Sequence, residues 1–139
     1  MALSGSIPNT NLNTVRCIGP NDCWAVGNVS GGAEVIIRWT GGAAWALQGP
    51  SGSIANVNLL GLSCVSGNCW MVGAATGGNS VVVNWNGTTL AQETTTGLPN
   101  AQLNAVACPS TSICWAVGNT STGEYIAQRS SGVWSRVAA

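Results

Sequence analysis

Apolar residues in this chain come in short runs separated by polar turns, and the runs recur. LNTVRC at 12–17 returns as LLGLSC at 59–64 and as LNAVAC at 103–108. Each is followed by a brief polar stretch and then by CWAVG at 23–27, CWMVG at 69–73 and CWAVG at 114–118. The lead-in repeats too, as SGSIPN at 4–9, SGSIAN at 51–56 and TGLPN at 96–100. Three copies of one unit with a period of about 45 residues account for nearly the whole chain.

Within a unit, every segment reads as a strand. Residues 12–17 are partly β-branched and close on a Gly-Pro-Asn-Asp turn. Residues 23–27 end at a loop of Gly, Asn and Ser. Glu34–Trp39, EVIIRW, has the strongest β propensity in the chain. A tight turn follows: TGG at 40–42, Asn86-Gly87 in the second unit and Ser131-Gly132 in the third. Asn-Gly between apolar runs is a strong hairpin signal. The fourth strand carries Trp45, Leu90 or Trp134. No segment has the length and 3.6-residue apolar period of a helix. The pattern predicts an all-β fold: one repeat domain over 1–139, with units at about 11–50, 58–96 and 102–139.

Four antiparallel strands in about 45 residues, repeated, form a propeller blade. The residues also carry a resemblance. Leu-x-x-Val, then Cys-Trp-Ala-Val-Gly, then Ile-x-Arg-Trp, then Gly-Gly-x-x-Trp resembles the repeat of photosystem II assembly-factor-type and Asp-box (sialidase-like) propellers. The cysteine-bearing form is similar to blades of secreted bacterial proteins. The Asp of the Asp-box turn is missing from all three units, and those families close with six or seven blades. The resemblance implies three propeller-type blades, half of a six-bladed ring, closed by a second copy in a homodimer. A β-trefoil, also three units of four strands, is the alternative, since it is complete at three.

The six cysteines fall one pair per unit, as Cys17 and Cys23, Cys64 and Cys69, Cys108 and Cys114. Each pair flanks the turn between first and second strands, where facing residues lie near the Cα separation a disulfide prefers. A metal site needs Cys-x2-Cys spacing or histidines, and the chain has neither. A catalytic thiol needs a basic partner, and there is no His or Lys. Three intra-blade disulfides are therefore expected, and with them an oxidising compartment, secreted or cell-surface. Residues 1–10 have no basic segment and no apolar core, so a signal peptide is not expected within this sequence.

Charge changes the picture most. Only 6% of the 139 residues are charged, against about 25% in an average chain. The cations are Arg16, Arg38, Arg129 and Arg136, the anions Asp22, Glu34, Glu93 and Glu124, and the net charge is zero. Without a basic stripe there is no counterion-release term, which excludes nucleic acid as a partner, and anionic membranes by the same argument. No run reaches the roughly 18 apolar residues of a membrane helix. Four carboxylates and Tyr125 are a thin stock for acid–base chemistry, and Glu124 and Tyr125, as neighbours on a strand, point to opposite faces. No enzyme activity, cofactor or metal is expected.

What remains is binding. Trp24, Trp70 and Trp115 share one blade position beside a disulfide and read as core. Trp39 and Trp85 end the third strand next to a turn, where a ring can stay partly exposed. Glu34 and Arg38 share a strand face with each other, and with Trp39 they imitate a lectin's donor–acceptor and stacking set; Asn84 replaces the arginine in unit two, and Glu124, Arg129 and Ser130 take these places in unit three. A neutral glycan in grooves between blades suits such a surface. The rival is a structural role, a self-assembling scaffold or surface-fibre subunit, because three blades leave two open faces and no lysine guards the edges. Asn28, Asn86 and Asn119 sit in Asn-x-Ser/Thr sequences, which carry no meaning in a bacterial source.

Overall fold

The computed structural model describes residues 2–4, 10–30, 32–49 and 56–137. The lead-in repeats at 4–9 and 51–56 fall almost wholly outside these. Among the described residues every regular element is a strand. The first sheet holds β1 (Ala2–Ser4), β2 (Thr10–Gly19), β3 (Asp22–Val29), β4 (Glu34–Trp39) and β5 (Ala44–Gly49). The second holds β6 (Val57–Val65), β7 (Asn68–Ala75), β8 (Ser80–Trp85) and β9 (Leu90–Gln92). The third holds β10 (Gln102–Ala107), β11 (Ile113–Thr120), β12 (Gly123–Ser130) and β13 (Val133–Val137).

In each sheet the repeat's four strands lie side by side in chain order, all antiparallel. The hairpin signals are the reason. Gly87, at φ 97°, supplies the left-handed backbone that the turn between β8 and β9 requires. β1 was not foreseen. It adds to the outer edge of the first sheet, parallel to β5, with Ala2 opposite Ala44 and Ser4 opposite Ala46.

The three sheets do not share ladders, which is what a trefoil barrel would need; each is a separate blade. Their first strands stand next to one another, β2 against β6 and β6 against β10, and the rest of each sheet runs outward. That is propeller geometry. Blades one and two bury Trp24, Val26 and Ile36 against Leu59, Leu62, Met71 and Val83. Blades two and three bury Trp70, Val72 and Val82 against Leu103, Ala116, Ala127 and Trp134. The core is these two seams.

The three expected disulfides are present: Cys17–Cys23, Cys64–Cys69 and Cys108–Cys114, each closing the first hairpin of its blade. No cysteine is free among the described residues.

The glycine that ends each CWxVG motif has a packing cause. The inner strand bulges at the same place in all three blades, between Leu12 and Thr14, Leu59 and Gly61, and Leu103 and Ala105. The bulge pushes a backbone carbonyl over the glycine opposite, and a Cβ on Gly27, Gly73 or Gly118 would overlap the carbonyl of Asn11, Asn58 or Gln102. Because backbone must give way, Gly73→Ala is expected to cost about 2 kcal/mol of stability. Urea unfolding of the oxidised protein checks this; a loss below about 0.5 kcal/mol contradicts it.

Candidate functional site

Each seam is organised round the tryptophan of a CWxVG motif. At the first, Trp24 meets Trp85 of blade two with ring centres 5.0 Å apart and planes tilted by 45°. The Arg38 guanidinium lies 4.9 Å from the centre of Trp24 and 5.3 Å from that of Trp85. Cross-strand pairing causes the first contact, since Arg38 is directly opposite Trp24. Asp22 takes both prongs of the fork, Nε at 2.8 Å and Nη2 at 2.7 Å. That hydrogen bond raises the pKa of Arg38 above its ordinary value, against the opposing pull of partial burial.

The second seam uses other residues for the same task. Glu93, just past β9, accepts Nε and Nη2 of Arg129 at 2.9 and 2.8 Å, Nε1 of Trp134 at 2.6 Å and Nε1 of Trp70 at 3.3 Å. Arg129 lies 5.0 Å over the Trp70 ring and also donates to the Thr111 carbonyl. One carboxylate thus joins the two tryptophans and the arginine, from both blades. Its ion pair is the more sheltered, with side chains 12% and 14% exposed against 25% and 28% for Arg38 and Asp22.

The residues expected to hold a glycan are placed as follows. Arg38 and Trp85 come together, across the seam and under Trp24. Trp39 is on the opposite face of β4 from Arg38, half-buried, its Nε1 donating to the Gly42 carbonyl. Glu34 is 3% exposed and pairs with Asn28 at the far end of β4. Glu34 and Arg38 do share a face, but four residues along a strand put them about 13 Å apart. Together they cannot grip one pair of hydroxyls.

The repeat alignment needs a correction in blade three. Arg129 stands opposite Cys114, as Trp39 stands opposite Cys23 and Trp85 opposite Cys69. Arg129 is therefore the counterpart of the tryptophans, and Gln128, opposite Trp115, is the counterpart of Arg38 and Asn84. A slip of one residue moves a side chain to the other face of its sheet, and Arg129 accordingly faces blade two. Tyr125 is buried in the same seam, its pKa raised first by burial and pulled back by Arg136, 5.6 Å from its ring. Its neighbour Glu124 is exposed.

A second correction concerns Trp115. CWAVG is the same pentapeptide in β3 and β11, yet its exposure differs. Trp24 and Val26 are 0% exposed, Trp70 and Val72 are 2% and 0%, but Trp115 is 40% and Val117 48%. Among the described residues none covers these two side chains of blade three. Blade one is bare in part on its opposite face: Leu12 is 49% and Val15 50% exposed, where the equivalent Leu59, Leu62 and Leu103 are at 2% or less, while Ala25, Val35 and Ile37 on that face stay buried in a small cluster of their own. An apolar groove of about 450 Å³ runs there, lined by Leu12, Val15, Ala25, Ile37 and Trp45 among others. Position in the array, invisible in any single repeat, decides which copies are bare.

Comparison with known proteins places the fold. No protein-family model and no curated protein matches the chain. Among solved structures it is similar to YCF48 bound to a D1 peptide, with a TM-score of 0.70 at 16% identity over 97% of this chain. It is similar also to YCF48 from Cyanidioschyzon merolae, with a TM-score of 0.68 at 17% identity over 94% of this chain. The chain spans 44% and 41% of those structures, less than half of either β-propeller.

The two seams differ in how much they lose with their charge. Glu93→Ala strands a buried guanidinium and two indole N–H groups, and is expected to cost about 3 kcal/mol. Arg38→Ala removes a pair about a quarter exposed and is expected to cost about 1 kcal/mol. Chemical denaturation of both variants checks the order; Arg38→Ala costing the more would refute it.

Proposed function

We propose that the chain is a non-enzymatic, self-assembling binding module of the propeller type, working in an oxidising extracellular setting as a scaffold completed on its two open blade faces. The observation that carries this reading is the identical pentapeptide buried in β3 and open in β11, where Trp115 and Val117 are 40% and 48% exposed against 0% for Trp24 and Val26. Covering rows of tryptophan, valine and leucine with another protein surface is worth about 25 cal/mol per Å² of apolar area. Zero net charge leaves no repulsion to oppose it. The disulfides suit the setting. A protein partner is in keeping with the likeness to YCF48, one structure of which holds a D1 peptide. Sedimentation equilibrium of the 139-residue chain at micromolar concentration is expected to give more than one 14.0 kDa chain per particle. A stable, monodisperse monomer defeats the reading.

Neutral glycan binding is a second reading, favoured by one repeated feature. At the strand ends away from the disulfides each seam has a shallow, uncharged groove. One has a volume of about 250 Å³ and is lined by Asn28, Asn56, Asn58 and Thr76. The other is about 420 Å³, with Asn100, Gln102, Asn119 and Thr120. Amides donate and accept, as hydroxyl-rich ligands require. On a glycan array followed by calorimetry, Asn28→Ala and Asn119→Ala are expected to weaken binding about tenfold, the loss of roughly one good hydrogen bond. Weakening by Trp39→Ala instead would move the ligand to the disulfide end, and a wild-type chain that binds no glycan ends this reading.

A further inference from the structure

We infer that Trp115 of one chain seats on Trp39 of a second copy, so that two chains join head to tail and close a ring of six blades. This rests on the self-assembly reading and names its interface. Within the chain, the tryptophan of one blade meets whatever stands opposite the second cysteine of the next: Trp24 meets Trp85, and Trp70 meets Arg129. Trp115 is the bare tryptophan of that series, and Trp39, opposite Cys23 and half-buried, occupies the receiving position on the partly bare face of blade one. The pairing on offer is tryptophan on tryptophan, as at the first seam.

The apolar rows agree independently. Where Val26 is covered by blade two, the covering surface includes Leu59 and Leu62. Val117 is the bare counterpart of Val26, and Leu12 and Val15 are the bare counterparts of Leu59 and Leu62. A polar pair follows the same register. The Asn13 amide, at the bulge of blade one, donates to Asn58 Oδ1 at 2.9 Å and to the Leu59 carbonyl at 2.7 Å on blade two. Asn104 stands at the same bulge in blade three, where one N–H of its amide donates to Asn119 Oδ1 at 3.0 Å and the other is left for the matching acceptors on blade one, Asn11 and the Leu12 carbonyl.

The two bare faces are different surfaces, each complementary to the other and not to itself, so the contact is heterologous and must close a ring or run on as a fibre. Two copies of these 139 residues give six blades, inside the usual four to eight, and three would give nine. In a closed pair the seam is used twice, and the second contact forms within an already joined particle.

Mixing of variants tests this. Trp115→Asp spoils the outgoing face and Leu12→Asp the receiving face. Each alone is expected to be monomeric, with affinity at least about a hundredfold below wild type. Mixed in equal amounts they are expected to form a two-chain complex, because the outgoing face of the Leu12→Asp chain and the receiving face of the Trp115→Asp chain are both intact. Trp39→Asp, a separate change on the receiving face, should be rescued by Trp115→Asp and not by Leu12→Asp. A mixture that stays monomeric while both variants keep their native circular dichroism overturns the inference, as does either single variant pairing like wild type, the outcome of a face that pairs with its own kind. A monomeric wild type fails the assembly reading itself, whereas an assembled wild type without rescue fails only this seam.

Discussion

The constraint on which this structure depends is that a blade cannot fully cover itself. A four-stranded sheet built from CWAVG and EVIIRW has apolar side chains on both faces, because every second residue of an almost wholly apolar strand points each way. Burial in the central blade shows the consequence. β7, with a blade on either side, is buried through Cys69, Trp70, Met71, Val72 and Gly73 without alternation; β3 is buried likewise from Cys23 to Gly27, its outward side closed by the small cluster of Ala25, Val35 and Ile37 with Val29 and Trp45. β11 alternates, with Cys114 and Ala116 inside and Trp115 and Val117 outside. Local sequence makes the sheet, and the neighbouring sheet makes the core.

Much of this was legible in the residues because the repeat writes each element three times. Strand order, hairpin turns, the pairing of the cysteines and the all-β class all follow from spacing and periodicity. What was not legible lies where the copies stop being equivalent. Ala2–Ser4 has no repeated counterpart as a strand and no pattern of its own, so its pairing with β5 had no signal. In blade three EYIAQRS ends on an arginine and a serine with no tryptophan to fix the register, and aligning arginine with arginine puts Arg129 one residue out. Glu93 has neither a repeated counterpart nor an apolar period, and only the fold brings it to Trp70 and Trp134. Of the candidate lectin set, a shared strand face was readable for Glu34 and Arg38, but the distance along the strand and Asp22's hold on Arg38 are properties of the assembled blade.

Sparse charge is part of the same design. The two ion pairs seen among the described residues both lie at seams, and each is coupled to an indole face. An arginine stacked on tryptophan keeps its flat guanidinium against apolar surface while its edge is bonded to a carboxylate, so one side chain serves both halves of the contact. Used this way, two of the four arginines and two of the four acids serve both seams. The rest of the surface is asparagine, threonine, serine and glycine, which hydrogen-bond to water without adding long-range repulsion.

That economy bears on how the seams can differ and still work. The first is tryptophan on tryptophan with an arginine above. The second is arginine on tryptophan with a glutamate behind. What they share is a flat group of one blade laid on the indole of another, over a floor of valine and leucine. The requirement is one of shape and apolar area, and many residue pairs meet it. The same tolerance is in keeping with a fold shared with YCF48 at 16% and 17% identity: where shape and apolar area are what a seam needs, most positions are free to drift. A third seam of tryptophan on tryptophan, with Gln128 where the first has Arg38, would be one more variation within that tolerance.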